Sequence, residues 1–200
     1  MNTFTKKYLP YLFPIGLGLE LLVLLLSYLE TGDYWHLFFR ATARLSGRVY
    51  LLYFAHFLVY ATLNPSAEKG SEPLKTKFIL ARNFAIMHII HWFLLVTAIK
   101  MNGFELPLAR LVPGIIAYSM VVLMPFVLNG NLFKTIKLSL AQNVYVYYVW
   151  LLFFLTYLAR LSGNSPTATG TMPVYIALMI VTISLLVWRI LYLANQSKKV

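Results

Sequence analysis

Apolar residues occur along this chain in six long runs that are separated by short polar segments. The runs cover residues 11–29, 49–63, 78–99, 108–128, 138–161 and 172–194. Most are close to the roughly 20 apolar residues that a helix needs to cross the hydrocarbon core of a bilayer. No strand-like alternation extends beyond a few residues. The pattern predicts an all-α integral membrane fold, a six-transmembrane-helix bundle that forms a single membrane domain over residues 1–200.

The segment before the second run, residues 33–46, is basic as well as apolar. Arg40, Arg44 and Arg48 recur every four residues. Trp35, Phe38, Phe39 and Leu45 lie between them. Positive charges and aromatic residues at helical spacing are typical of a helix that lies in the membrane interface. We therefore expect an interfacial amphipathic segment over 33–46, separate from the span that begins at residue 49.

Composition supports the membrane assignment and excludes several functions. Hydrophobic residues make up 60% of the chain, charged residues only 12%, and the mean hydropathy is +0.73. A soluble chain is typically ~45–50% apolar and ~25% charged. Six spans leave too little length for an FAD, NAD or ATP domain of ~100 residues, so a redox partner would be another molecule. The chain has no cysteine, which excludes thiolate metal sites, iron–sulfur clusters and cysteine nucleophiles.

The net charge of +11 is interpreted as a topology signal rather than as an affinity for nucleic acid. The N-terminus, the second and fourth loops and the C-terminal tail carry Lys6, Lys7, Lys69, Lys75, Lys77, Arg82, Lys134, Lys137, Lys198 and Lys199. The opposite side carries Arg40, Arg44, Arg48, Lys100, Arg110 and Arg160. This bias predicts that both termini are cytoplasmic, in a bacterial inner membrane. The polar stretch 66–77 is expected to be a solvated cytoplasmic loop.

Histidines are the best candidates for chemistry. Only one of the six acidic residues, Glu20, lies within a run, so no paired-carboxylate site is evident. His56, His88 and His91 all lie within runs. Ionisable side chains are costly in a membrane and commonly mark functional sites, although each imidazole could also serve as an ordinary hydrogen-bonding group between helices.

Two of these histidines are expected at the same depth. His56 lies eight residues inside Arg48, and His91 nine residues inside Lys100, which corresponds to ~12–14 Å below one surface. Imidazoles at matched depth on antiparallel helices could hold one metal between them. With no carboxylate at this depth, haem iron is favoured over zinc, because the porphyrin supplies the other ligands. We expect His91 and His56 as axial ligands and His88 as a competitor, with Ala81 and Ala85 leaving room for a flat group.

Three segments resemble the ferric-reductase-like transmembrane family. They read WHLFFRATARLSGRVYLLYFAHFLVYATLNP from Trp35 to Pro65, ARNFAIMHIIHWFLL in the third run and PGIIAYSMVVLMPFVLNG in the fourth. The first of these segments in particular resembles the haem-binding membrane subunits of bacterial methionine sulfoxide reductases. The resemblance implies a six-helix layout over about residues 30–195 and a haem-ligating histidine in the third helix. His91 is the best match and His88 the next.

The fifth run departs from the family pattern. Members carry two further haem-ligating histidines there, about thirteen residues apart, and the matching positions in this chain are Asn143 and Thr156. If the resemblance is right, either His56 replaces the missing ligand or the protein no longer binds haem.

Two main hypotheses follow. The leading one is a membrane electron-transfer subunit with haem b, a possible oxidoreductase component that passes electrons from a quinol or a flavoprotein to a partner reductase, with quinone or flavin supplied by the partner. The alternative is a haem-free membrane scaffold or accessory protein of the same fold. A small-solute transporter is less favoured, because charged pairs within the bundle and helices broken in repeated positions are not evident.

Overall fold

The computed structural model of the chain describes residues 7–65, 68, 70–105, 108–130, 137–162 and 172–198, with the backbone alone for 108–111. These residues form six α-helices and no strand. The helices are α1 (Leu12–Thr31), which follows a 3-10 turn at Leu9–Tyr11, α2 (Trp35–Leu63), α3 (Glu72–Met101), α4 (Leu108–Leu128), α5 (Leu138–Leu161) and α6 (Met172–Ser197). The prediction of an all-α chain with six helices is confirmed.

The second helix is longer than the sequence pattern predicts. α2 runs without interruption from Trp35 to Leu63, so the expected break between an interfacial segment 33–46 and a span from residue 49 is wrong. Polar residues in the first half of α2 bind carboxylates of α1. Arg44 Nη2 lies 2.6 and 2.7 Å from the two carboxylate oxygens of Glu30, and Ser46 Oγ donates to Glu20 Oε1 at 2.9 Å. Because α1 supplies acceptors for these groups, the helix needs no break to expose them to water.

The third helix begins earlier than predicted. Ser71 caps α3, because its Oγ accepts a hydrogen bond from the backbone N–H of Leu74, and Pro73 lies in the first turn where no backbone donor is needed. Residues 72–77 are therefore helical rather than part of a solvated loop. Residues 66, 67 and 69 of that stretch lie outside the described residues.

The helices pack around a common core. α2 lies against α3, α3 against α4, α4 against α5 and α5 against α6, and α6 returns to α2, while α1 packs outside on α2 and α3. The most deeply buried side chains of the core come from four helices and include Phe54, Phe57, Leu58, Phe84, Met87, Val121, Tyr145 and Val146.

Four of the described helices are long and apolar enough to cross a membrane: α1 with its preceding turn, α3, α5 and α6. α4 contributes a shorter apolar stretch, Val112–Leu128. α2 is not among them, because arginines, tyrosines and His56 lower its hydropathy. Its face against the bundle is nevertheless among the most buried surfaces of the molecule.

Candidate functional site

The structure places His88 and His91 together in the interior of the bundle. Both side chains belong to α3 and are only 6% exposed. Their ring centroids are 6.3 Å apart, and the ring planes differ by 28°. They are one helical turn apart, so their side chains point to the same side of α3, toward α2, α4 and α5.

Aromatic side chains surround both imidazoles. The ring of Tyr118 on α4 stacks on His88 with the centroids 4.0 Å apart. The ring of Tyr50 on α2 lies 4.9 Å from the His88 ring and 4.4 Å from the His91 ring, so it contacts both imidazoles. Phe153 of α5 then packs against Tyr50 at 4.9 Å. Both imidazoles are therefore lined by aromatic rings of the protein.

The imidazole nitrogens have no hydrogen-bond partner among the described residues. This holds for both ring nitrogens of His88 and for Nδ1 of His91. Buried polar atoms are nearly always paired, so unpaired nitrogens at this depth are uncommon and draw attention to the site. They are the one feature of the cluster that favours a bound group.

His56 does not join the cluster. It is half-buried near Tyr8, with the ring centroids 6.0 Å apart. The residue of α2 that faces His91 is Gly47, where a Cβ, if one were present, would lie 3.5 Å from His91 Cε1. His56 is nine residues further along α2, which is about 13 Å.

The matched depth expected for His56 and His91 fails because α2 begins at Trp35 rather than near residue 49. Asn102, at the end of α3, donates to the carbonyl of His36 at 2.9 Å, so this part of α2 is level with the end of α3. His91 lies 11 residues before Asn102, and Gly47 lies 11 residues after His36. This antiparallel register brings Gly47 and Tyr50, not His56, to the histidines of α3.

The residues present do not fit the expected haem. Two axial imidazoles must bind iron from opposite faces of the macrocycle, and His88 and His91 lie three residues apart on the same side of one helix. Ala81 and Ala85 do not open a slot, because both are buried within the helix packing. Asn143, the position at which the resemblance leads us to expect a ligand, accepts a hydrogen bond from the Arg189 guanidinium at 2.6 Å. No grouping of three or more His, Cys, Asp or Glu side chains suited to a metal ion occurs in the described part of the chain.

Two buried cations, Lys77 near the start of α3 and Arg189 near the end of α6, are not identified as a site by the sequence pattern. The charge pattern marks Lys77 only as a topology signal, yet it is fully buried and donates to Gln142 Oε1 at 3.1 Å. Arg189 carries the same sequence signal as the histidines, because it is a charged residue within an apolar run. Comparison with known proteins gives no assignment, because no protein-family model, no curated protein and no solved structure matches this chain.

Proposed function

We propose that this chain is a multi-pass integral membrane protein surrounded by lipid. The outward surface of α1 supports the proposal, because it is a continuous apolar face that water would solvate poorly. Its exposed leucines are Leu17, Leu21, Leu22, Leu25, Leu26 and Leu29. Monomeric soluble proteins rarely expose apolar patches of more than a few hundred Å². In the finer form of the proposal, the membrane is a bacterial inner membrane and both termini are cytoplasmic.

Within that membrane, we propose a haem-free scaffold or accessory role rather than an electron-transfer role. One observation carries this choice: no second histidine of the described residues faces His91 across the bundle. Gly47 of α2 lies opposite it, and His56 is about 13 Å further along α2, so the two axial imidazoles expected for haem b are not brought together. The six-helix bundle then acts through its surfaces, by holding lipid or partner subunits.

An absorption spectrum tests this proposal directly. The full chain is expressed with ample haem precursor and purified from membranes, beside His91→Ala as a matched variant. We expect neither protein to show a Soret band, and both to fractionate with alkali-washed membranes. A Soret band that is present in the unmodified protein and lost in His91→Ala would reject the haem-free role and restore the electron-transfer subunit, with its partner reductase or flavoprotein. Release by alkali would reject the membrane assignment.

A further inference from the structure

Arg189 is a buried cation whose side-chain partners are neutral. It lies in α6 and is only 3% exposed. Nη1 donates to Thr62 Oγ1 at 2.5 Å and Nη2 donates to Asn143 Oδ1 at 2.6 Å. The guanidinium also lies over the ring of Tyr147, 5.4 Å from its centroid. These contacts orient the group but do not neutralise its charge.

A second buried cation lies beside the first. Lys77 of α3 has no exposed surface, and its Nζ donates to Gln142 Oε1 at 3.1 Å. Gln142 and Asn143 are consecutive in α5, so one turn of this helix contacts both cations through neutral amides. Together, Lys77, Arg189, Gln142 and Asn143 form what we call the basic cluster.

The acidic side chains of the chain are engaged or exposed elsewhere. Glu20 accepts from Ser46, Glu30 from Arg44 and Glu72 from Lys75. The other three acids, Asp33, Glu68 and Glu105, are exposed and lie between helices. Burial of a charge is costly unless an opposite charge or several hydrogen bonds compensate for it. The positive charge of Arg189 is therefore not balanced by a carboxylate of the described residues.

Hydrogen-bond donors are also in excess there. Arg189 Nε and Gln142 Nε2 are buried and have no acceptor among the described residues. Tyr145 lies one turn further along α5, on the same side of the helix as Gln142, and its hydroxyl is buried and unpaired as well. Unpaired donors beside a buried guanidinium favour a ligand that brings negative charge and several acceptor oxygens.

We propose that the basic cluster, between α2, α3, α5 and α6, binds an oxyanion of the phosphate type. A phosphate group supplies negative charge for Arg189 and acceptors for the unpaired donors Arg189 Nε and Gln142 Nε2. Its source is either the headgroup of an anionic phospholipid or free phosphate. Lys137 is exposed just before α5 at the same end of the bundle, and its positive charge raises the local concentration of either source.

Thermal stability of the full chain tests the proposal and distinguishes the sources. In one arm, the protein in a neutral detergent is heated with increasing inorganic phosphate, against sodium chloride at equal ionic strength. In the other arm, nanodiscs of phosphatidylglycerol are compared with nanodiscs of phosphatidylcholine. A ligand of the folded state raises the midpoint as its concentration passes Kd. A rise with phosphate identifies the free anion, and a rise only with phosphatidylglycerol identifies the lipid. No rise in either arm beyond its control overturns the proposal.

Two variants locate the effect. Asn143→Asp places a carboxylate 2.6 Å from the guanidinium, so it supplies an internal anion. We expect the thermal midpoint of this variant without added ligand to equal that of the unmodified protein. The rise of its midpoint with phosphate or with phosphatidylglycerol should be about tenfold smaller. Lys75→Gln removes an exposed lysine at the same end of the bundle, and its response should stay within about twofold of the unmodified protein. An equal loss of response in both variants would assign the effect to surface charge and reject the buried site.

Discussion

At the scale of single residues, the imidazoles of His88 and His91 are surrounded by aromatic side chains rather than by polar partners. An unpaired buried polar atom costs about 1–3 kcal/mol of stability, whereas an apolar group of similar shape avoids that cost. The aromatic contacts around His88, with Tyr118 at 4.0 Å and Phe84 at 5.6 Å, depend on ring shape and would accept another ring. The stability contribution of His88 is therefore that of an aromatic ring that carries two unpaired nitrogens.

We expect His88→Phe to leave the thermal midpoint unchanged or to raise it, because the ring packing is kept and the unpaired nitrogens are removed. As a control, Phe57→Ala should lower the free energy of unfolding by about 3–5 kcal/mol, since Phe57 is fully buried. Differential scanning fluorimetry in detergent measures the thermal midpoint of each variant, and the loss for Phe57→Ala should appear as a clearly lower midpoint. A large loss for His88→Phe would mean that its nitrogens have a partner, and would count against the haem-free role.

The two glycines of α1 offer a second test at this scale. A Cβ at Gly16 would lie 2.5 Å from Tyr53 Oη and 2.7 Å from Met87 Sδ, whereas a Cβ at Gly18 would meet nothing within 4 Å. The Tyr53 hydroxyl donates to the carbonyl of Leu12 and cannot move without losing that bond. Gly16→Ala should therefore lower the midpoint. Gly18→Ala should leave it unchanged or raise it by the equivalent of about 0.5–1 kcal/mol. Equal effects would show that α1 does not pack on α2 and α3 at Gly16.

At the scale of elements, the number of helices could be predicted from the sequence, whereas the register between them could not. Six apolar runs suffice to identify six helices, because hydrophobicity is a local property. The relative height of α2 and α3 depends on where α2 begins, and its first three turns carry arginines that favour an interfacial segment. Only the contacts with Glu20 and Glu30 on α1 explain why those turns continue the helix.

The same limit explains which site residues could be predicted. His88 and His91 are identifiable because an imidazole in an apolar run is costly wherever it lies. Their neighbours Tyr50 and Tyr118 give no signal, since tyrosine is common in membrane helices. Arg189 and Lys77 become a cluster only when α3, α5 and α6 are packed together, because 112 residues separate them in sequence.

Cross-linking between α2 and α3 tests the register. The chain has no cysteine, so paired cysteines can be introduced without a background signal. Gly47→Cys with His91→Cys should react with a short bifunctional thiol reagent, since these positions face each other. His56→Cys with His91→Cys should not react, because residue 56 is about 13 Å further along α2. Mass spectrometry of the linked peptides measures both. Preferential reaction of the second pair would restore the matched depth of His56 and His91.

At the scale of the whole molecule, the two ends of the bundle carry different chemistry. The end formed by the start of α3, the start of α5 and the end of α6 holds the basic cluster. The end formed by the start of α2, the end of α3 and the end of α5 holds Arg44, which binds Glu30, and Arg160, which contacts Tyr175. An even number of helices places both termini on the same side of a membrane, if each of the six crosses it. Orientation then decides which chemistry faces the cytoplasm.

We predict that the end with the basic cluster faces the cytoplasm. Lysine and arginine are enriched in the cytoplasmic segments of membrane proteins, and most lysines of this chain lie at or beyond the helix ends on that side. Reporter fusions after Gly70 and after residue 198 should therefore be active as cytoplasmic fusions, and a fusion after Gly103 should be active on the opposite side. Gly70 and Gly103 are suitable insertion points because both are exposed and have positive φ, at +80° and +63°, in turns that flank α3. The opposite pattern at all three sites would invert the orientation, and unlike results after residues 70 and 198 would show that an odd number of segments crosses the membrane between them.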